Sequence, residues 1–151
     1  MNDFLKRAVE LSRRSVKNGG YPVGSVVIFE NKIVGVGLSD GKNLFDATSH
    51  AEIAAIRAAS TKLGKRDLFD CVLYTSMEPC LMCLSACYWA KIRKVVYAIE
   101  KDAVSDHNYE GHHDLHKINA EYHRPIEMIH VKELETEAIS IVMAWEKNRG
   151  K

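Results

Sequence analysis

Residues 71–99 read CVLYTSMEPCLMCLSACYWAKIRKVVYAI. Cys71 to Ser76 is a short run of Val, Leu, Tyr and Thr, the composition of a strand. Pro79 follows and fixes the turn that opens a helix over Cys80–Ala90. Lys94 to Ile99 is a second strand run. Two such runs joined by a helix form a crossover unit, which predicts parallel strands with the helix packed on one face of their sheet.

The flanks extend this unit in both directions. Residues 2 to 17 carry a helical stripe of Phe4, Leu5, Ala8, Val9, Leu11 and Val16 behind a capping Asn2, and Gly19-Gly20 stops it. Val23–Phe29 and Ile33–Leu38 are β-rich runs joined by Glu30-Asn31-Lys32, a hairpin. Residues 39 to 48 read as a loop. His50 to Leu63 is Ala-rich and helical, ending at Gly64. Beyond residue 100, the polar, His-rich segment 101–125 reads as loop with one short helix. Ile126–Val131 reads as a fifth strand and Lys132–Asn148 as a last helix. The expected fold is α/β, a three-layer α/β/α sandwich around a five-stranded mixed sheet that opens with an antiparallel hairpin. Active sites in such sheets form at the carboxyl ends of strands, beside helix N-termini.

A chain of 151 residues suits one domain. It should bury roughly two thirds of its unfolded surface, enough for a core without staples. Lys plus Arg is 21 and Asp plus Glu is 20, a formal charge of +1. That balance gives no whole-protein field to gather a polyanion. The clusters Lys62, Lys65, Arg66 and Lys91, Arg93, Lys94 read as solvated faces, with RNA contact as the other reading. The N-terminus lacks the apolar run of a signal peptide, and no stretch approaches the ~20 apolar residues of a membrane span. A cytoplasmic protein with reduced cysteines is expected.

The chemistry concentrates in two places. His50-Ala51-Glu52 opens the Ala-rich helix, and Cys80 and Cys83 sit in the Pro79-Cys80-Leu81-Met82-Cys83 turn. Spacing of this kind puts two thiolates on one metal, and the helix N-termini favour their ionised form. A closed structural zinc site takes four protein ligands; a catalytic one takes three and keeps a place open. His50, Cys80 and Cys83 make three, and no second C-x2-C or H-x3-H completes a fourth. A thioredoxin-like redox pair is the other reading of the cysteines, but it does not call for His50 or Glu52. Cys71 and Cys87 read as core thiols. His107, His112, His113 and His116 read as an exposed polar loop, with a second metal cluster as the alternative.

The H-x-E and P-C-x-x-C elements together resemble the zinc-dependent cytidine/deoxycytidylate deaminase superfamily. The likeness continues through GGYPVGSVVI, HAEIAAIRAA, LYTSMEPCLMC and ACYWAKIRKVVYA. It looks closest to bacterial guanine deaminases and to adenosine deaminases acting on transfer RNA. The resemblance implies one Zn2+ per chain on His50, Cys80 and Cys83, and Glu52 as the proton carrier between water, ring nitrogen and departing amine. It implies that Ala51, Pro22 and Val23 hold a flat base. It also points to Asp106, Tyr109 and Glu110 as purine contacts after the fourth strand, and, because the C-terminal end of guanine deaminases packs by a partner's active site, to Trp145 at a pocket; a core or interface aromatic is the other reading of Trp145.

The chain departs from the family pattern at the substrate wall. Relatives often place an Asn where this chain has Ser39, followed by Asp40, and a Pro where it has Ala47. These departures spare the metal ligands and touch specificity. Three functions compete. The first is deamination of a free nucleobase, guanine leading and cytosine next, in a homodimer with pockets near the interface, as the resemblance implies. The second is adenosine deamination in a transfer-RNA anticodon loop. The third is a zinc-stabilised binding domain without turnover.

Overall fold

The computed structural model describes residues 2–149. Asn2–Lys17 forms helix α1, Gly24–Phe29 strand β1 and Lys32–Leu38 strand β2. A single helical turn, α2 (Gly41–Leu44), precedes helix α3 (Ala51–Leu63). Strand β3 (Val72–Met77), helix α4 (Leu81–Trp89) and strand β4 (Lys94–Ile99) form the crossover read from residues 71–99. After β4 come two 3-10 turns, Lys101–Ala103 and Asp106–Asn108, and helix α5 (Leu115–Ala120). Strand β5 (Glu127–His130), a 3-10 turn Lys132–Leu134 and helix α6 (Glu135–Arg149) complete the chain.

The strands lie in the order β2-β1-β3-β4-β5. β1 runs antiparallel to both β2 and β3, while β3, β4 and β5 are parallel. The sheet is mixed and five-stranded, as expected. Two differences are local. Residues 41–44 coil into one turn where a loop was expected, closed by Phe45 in the left-handed region at φ 54. The last helix starts three residues late, because Lys132–Leu134 wind more tightly as 3-10.

Alternation along the strands divides the core in two. Val26, Ile28, Tyr74, Val96 and Ala98 face Leu5, Ala8, Val9 and Leu11 of α1 and Ala138, Ile141 and Val142 of α6. Val27, Leu73 and Val95 face the other way, against Ala55 and Ala59 of α3 and Leu84 and Cys87 of α4. Side chains in a strand alternate faces, so two apolar registers produce two buried layers and hence three layers overall. No helix among the described residues is long and apolar enough to cross a membrane.

Helix α3 lies directly on the backbone of β2. A β-carbon at Gly37 would overlap the Ala51 carbonyl, and one at Gly35 would overlap that of Ala55. Neither obstacle is the flexible end of a side chain, so α3 has to lift. Gly37→Ala is expected to cost about 1–3 kcal/mol, a fall in Tm of roughly 2–12 °C in a thermal melt. Because Ala51 is the residue between His50 and Glu52, the same variant should also bind metal more weakly. Unchanged Tm would show that α3 does not sit on the strand so closely.

Candidate active site

Helices α3 and α4 start at the same place from opposite directions in sequence. His50 is the N-cap of α3, in extended conformation at φ −65, ψ 162. Cys80 is the N-cap of α4, extended at φ −68, ψ 173. An extended cap turns its side chain across the helix end rather than along a helix face. The His50 Nδ1 atom therefore reaches 3.5 Å from Cys80 Sγ and 3.5 Å from Cys83 Sγ. The three donor atoms all lie within 4.8 Å of one another, the one such group of metal-binding type among the described residues. For tetrahedral zinc, metal–sulfur and metal–nitrogen bonds of about 2.3 and 2.1 Å require an N···S edge of about 3.6 Å. The donor set fits that edge, and its one imidazole and two thiols suit a borderline-soft ion. No fourth His, Cys, Asp or Glu of the described residues joins the group.

Glu52 sits beside this set with 4% of its surface exposed. Burial, reinforced by the charge of the Cys80 thiolate, pushes its carboxyl up to about 7. Cys80 is drawn down to about 6 by the hydrogen bond from Cys83, with His50 adding to it against the cost of burial. Cys83, which keeps its proton for Cys80 and is fully buried, is pushed up. His50 is raised by its contact with Cys80. A cation entering the group competes with protons for these donor atoms.

A cavity of about 380 Å³ opens over these atoms. Pro22, Val23, Ser39, Ala51, Tyr109 and Glu110 line it together with His50, Glu52 and Cys80. Asp40, Asp106 and Trp145 do not. Asp40 accepts a 2.6 Å hydrogen bond from Ser49 Oγ behind the wall. Asp106 is turned to His112 Nδ1 at 2.6 Å and Lys101 Nζ at 3.6 Å. Trp145 packs edge-on against Tyr21 at 5.2 Å and faces an adjoining recess. Asp40 and Asp106 are held by those partners instead, and the reading of Trp145 at a partner's pocket concerns a second chain.

The segment after β4 is fastened onto the turn of residues 78–83 through Lys101, Tyr109, Glu110 and His116. The Tyr109 hydroxyl donates to the Glu78 carbonyl at 2.7 Å, and burial keeps that phenol protonated. The buried Glu78 carboxylate accepts the Lys101 N–H at 2.6 Å and pairs with His116 Nε2 at 2.9 Å. Glu110 accepts the N–H groups of Leu81 and Met82 at 3.2 and 3.1 Å, capping α4 beside Cys80. Burial opposes its ionisation, but those backbone donors hold its carboxyl low. Of the His residues in this segment, only His107 touches the cavity. Tyr21, Met82 and Asn108 also line it and were not singled out from the sequence. Tyr21 was the findable one, since it shares the turn of Pro22 and Val23.

Residues 1–99 match the family model for the cytidine and deoxycytidylate deaminase zinc-binding region. The chain belongs to this deaminase family. It is a hydrolytic deaminase, and its α/β sheet is that of solved deaminases. It is 44% identical over 108 residues to guanine deaminase of Bacillus subtilis, a match covering 71% of this chain and 69% of that one. A solved guanine deaminase from the same organism covers 99% of this chain and 96% of its own, at 36% identity and a TM-score of 0.69. A tRNA-specific adenosine deaminase of Aquifex aeolicus is 36% identical over 95 residues, 63% of each chain. A structure from work on tRNA:A34 deaminases superposes with a TM-score of 0.81 at 25% identity, covering 93% of this chain and 99% of that one.

Proposed function

We propose that this deaminase acts on an aminopurine base, guanine foremost, with zinc held by His50, Cys80 and Cys83 and with Glu52 carrying the protons. The observation that carries the reading is a buried acid beside a three-donor set at the floor of a base-sized cavity. The 44% identity to a guanine deaminase favours guanine over other rings. The overall reaction is addition of water at the ring carbon that bears the amine, loss of ammonia, and a carbonyl in its place.

When bound, zinc supplies a Lewis acid that brings the pKa of a water molecule from ~15.7 to about 7. Glu52, poised near neutrality, would take a proton from the attacking water, deliver it to the adjacent ring nitrogen, and then protonate the departing amine. Pro22 and Val23 present flat apolar walls to the ring. Tyr109 and Glu110 also line the cavity, and the Glu110 carboxylate suits the donor edge of an aminopurine.

The 151 residues act in this reading as a single deaminase domain. Four free cysteines support a reducing, cytoplasmic compartment. Trp89, 72% exposed at the end of α4 beside Tyr88, supports a homodimer, which light scattering checks. A second reading, adenosine in a transfer-RNA anticodon loop, is favoured by the Aquifex relative and weakened by the formal charge of +1.

Ammonia release decides between them. The panel is guanine, cytosine, adenine, their nucleosides, aminotriazines, pterins and an anticodon stem-loop. Guanine is expected to give the highest kcat/KM. Turnover of the stem-loop alone would reverse the assignment.

A further inference from the structure

A second recess, of about 820 Å³, adjoins the catalytic cavity and shares Tyr21, Ser39, Ala47 and His50 with it. Its far wall is different in kind. Trp145 and Tyr21 form an aromatic corner, and the Arg149 guanidinium lies 4.7 Å from the Trp145 ring and 6.0 Å from that of Tyr21. Lys42, from α2, lines the same space. Neither Lys42 nor Arg149 has a carboxylate partner among the described residues. The recess has one acidic wall residue, Asp46, and it is already engaged: it accepts from Thr48 N and Oγ1 at 2.9 and 2.6 Å and lies 3.8 Å from Arg57. The recess is therefore aromatic-walled, with two uncompensated cations, and it shares four lining residues with the base cavity.

We propose that this recess is a subsite for the phosphorylated ribose of a purine 5′-nucleotide whose base enters the catalytic cavity. The sugar would lie against the Tyr21–Trp145 corner. The phosphate would meet the guanidinium of Arg149, which offers a planar fork of donors, and the ammonium of Lys42. Ser39 and Ala47 are the small side chains among the residues common to both spaces. The placement of the base rests on the function proposed above; the anion recess rests on Lys42, Arg149 and the aromatic corner alone.

Calorimetric titration of the zinc-loaded protein with guanosine 5′-monophosphate and with guanosine tests it. The nucleotide is expected to bind at least ~10-fold tighter, the usual scale of a hydrogen bond to a charged group. That preference should shrink as salt is raised and should disappear in Lys42→Ala/Arg149→Ala. Ammonia release from guanine should be unchanged in that double variant. Equal binding of nucleotide and nucleoside, or a preference that survives the double substitution, overturns the subsite. Failure of guanine turnover combined with a cation-dependent nucleotide preference would sink the guanine reading and leave the recess standing.

Discussion

Glu52→Gln is expected to lower kcat by about 10²–10⁴-fold while the protein keeps its zinc and its Tm. Gln matches the carboxylate in shape and does not disturb the three donor atoms, which exclude Glu52. What it removes is the group that binds and releases a proton near neutral pH. Burial sets that property, and burial is unchanged by the substitution. KM should therefore stay within a few-fold of the parent while kcat collapses, the pattern of an interaction made in the transition state. Metal analysis and a thermal melt run beside the kinetics separate this from misfolding. Full turnover by the Gln variant would dismiss Glu52 as the proton carrier.

Cys83→Ala is expected to abolish turnover by a different route, by emptying the site. Cys83 is fully buried at the start of α4, and its sulfur is one of three donors. Two remaining donors do not hold zinc against solvent. Metal content should fall from one ion per chain to near zero. In the parent, zinc at 100 times its Kd should add about 2.7 kcal/mol of stability, a rise in Tm of roughly 5–11 °C. The variant should show none of that rise. Since metal and protons compete for the Cys83 and His50 donors, affinity in the parent should also weaken as pH falls. A Cys83→Ala protein that retains stoichiometric zinc would mean that the ligand set lies elsewhere.

The capping of α4 by Glu110 bears on both experiments. Its two backbone hydrogen bonds come from Leu81 and Met82, the residues between the two cysteines. Substrate that takes Glu110 for its own amine would release those N–H groups at the helix end. The segment after β4 and the turn that carries Cys80 and Cys83 are thus joined by Glu110 and by Glu78.

The layers of the fold were legible because they depend on periodicity. Val26 and Val27, Leu73 and Tyr74, and Val95 and Val96 each divide between the two faces of the sheet, and that division is written in alternate positions. The donor set was legible because His50, Cys80 and Cys83 each sit at a helix start that Pro79 and the preceding loop announce. What local pattern does not contain is the meeting of two such starts. His50 and Cys80 are 30 positions apart, and their 3.5 Å approach depends on α3 lying on the bare backbone of Gly35 and Gly37. The outer wall of the pocket was harder still. Asp40 and Asp106 carry the right chemistry, but Ser49 and His112 engage them, and no local pattern announces those pairs. The recess of Lys42 and Arg149 joins residues from opposite ends of the chain. Sequence alone determined which side chains could bind metal and move protons, since that is intrinsic to residue type and local backbone. Tertiary structure decided which polar groups were left free to face a substrate, because that depends on which neighbours the packing had already supplied to satisfy them.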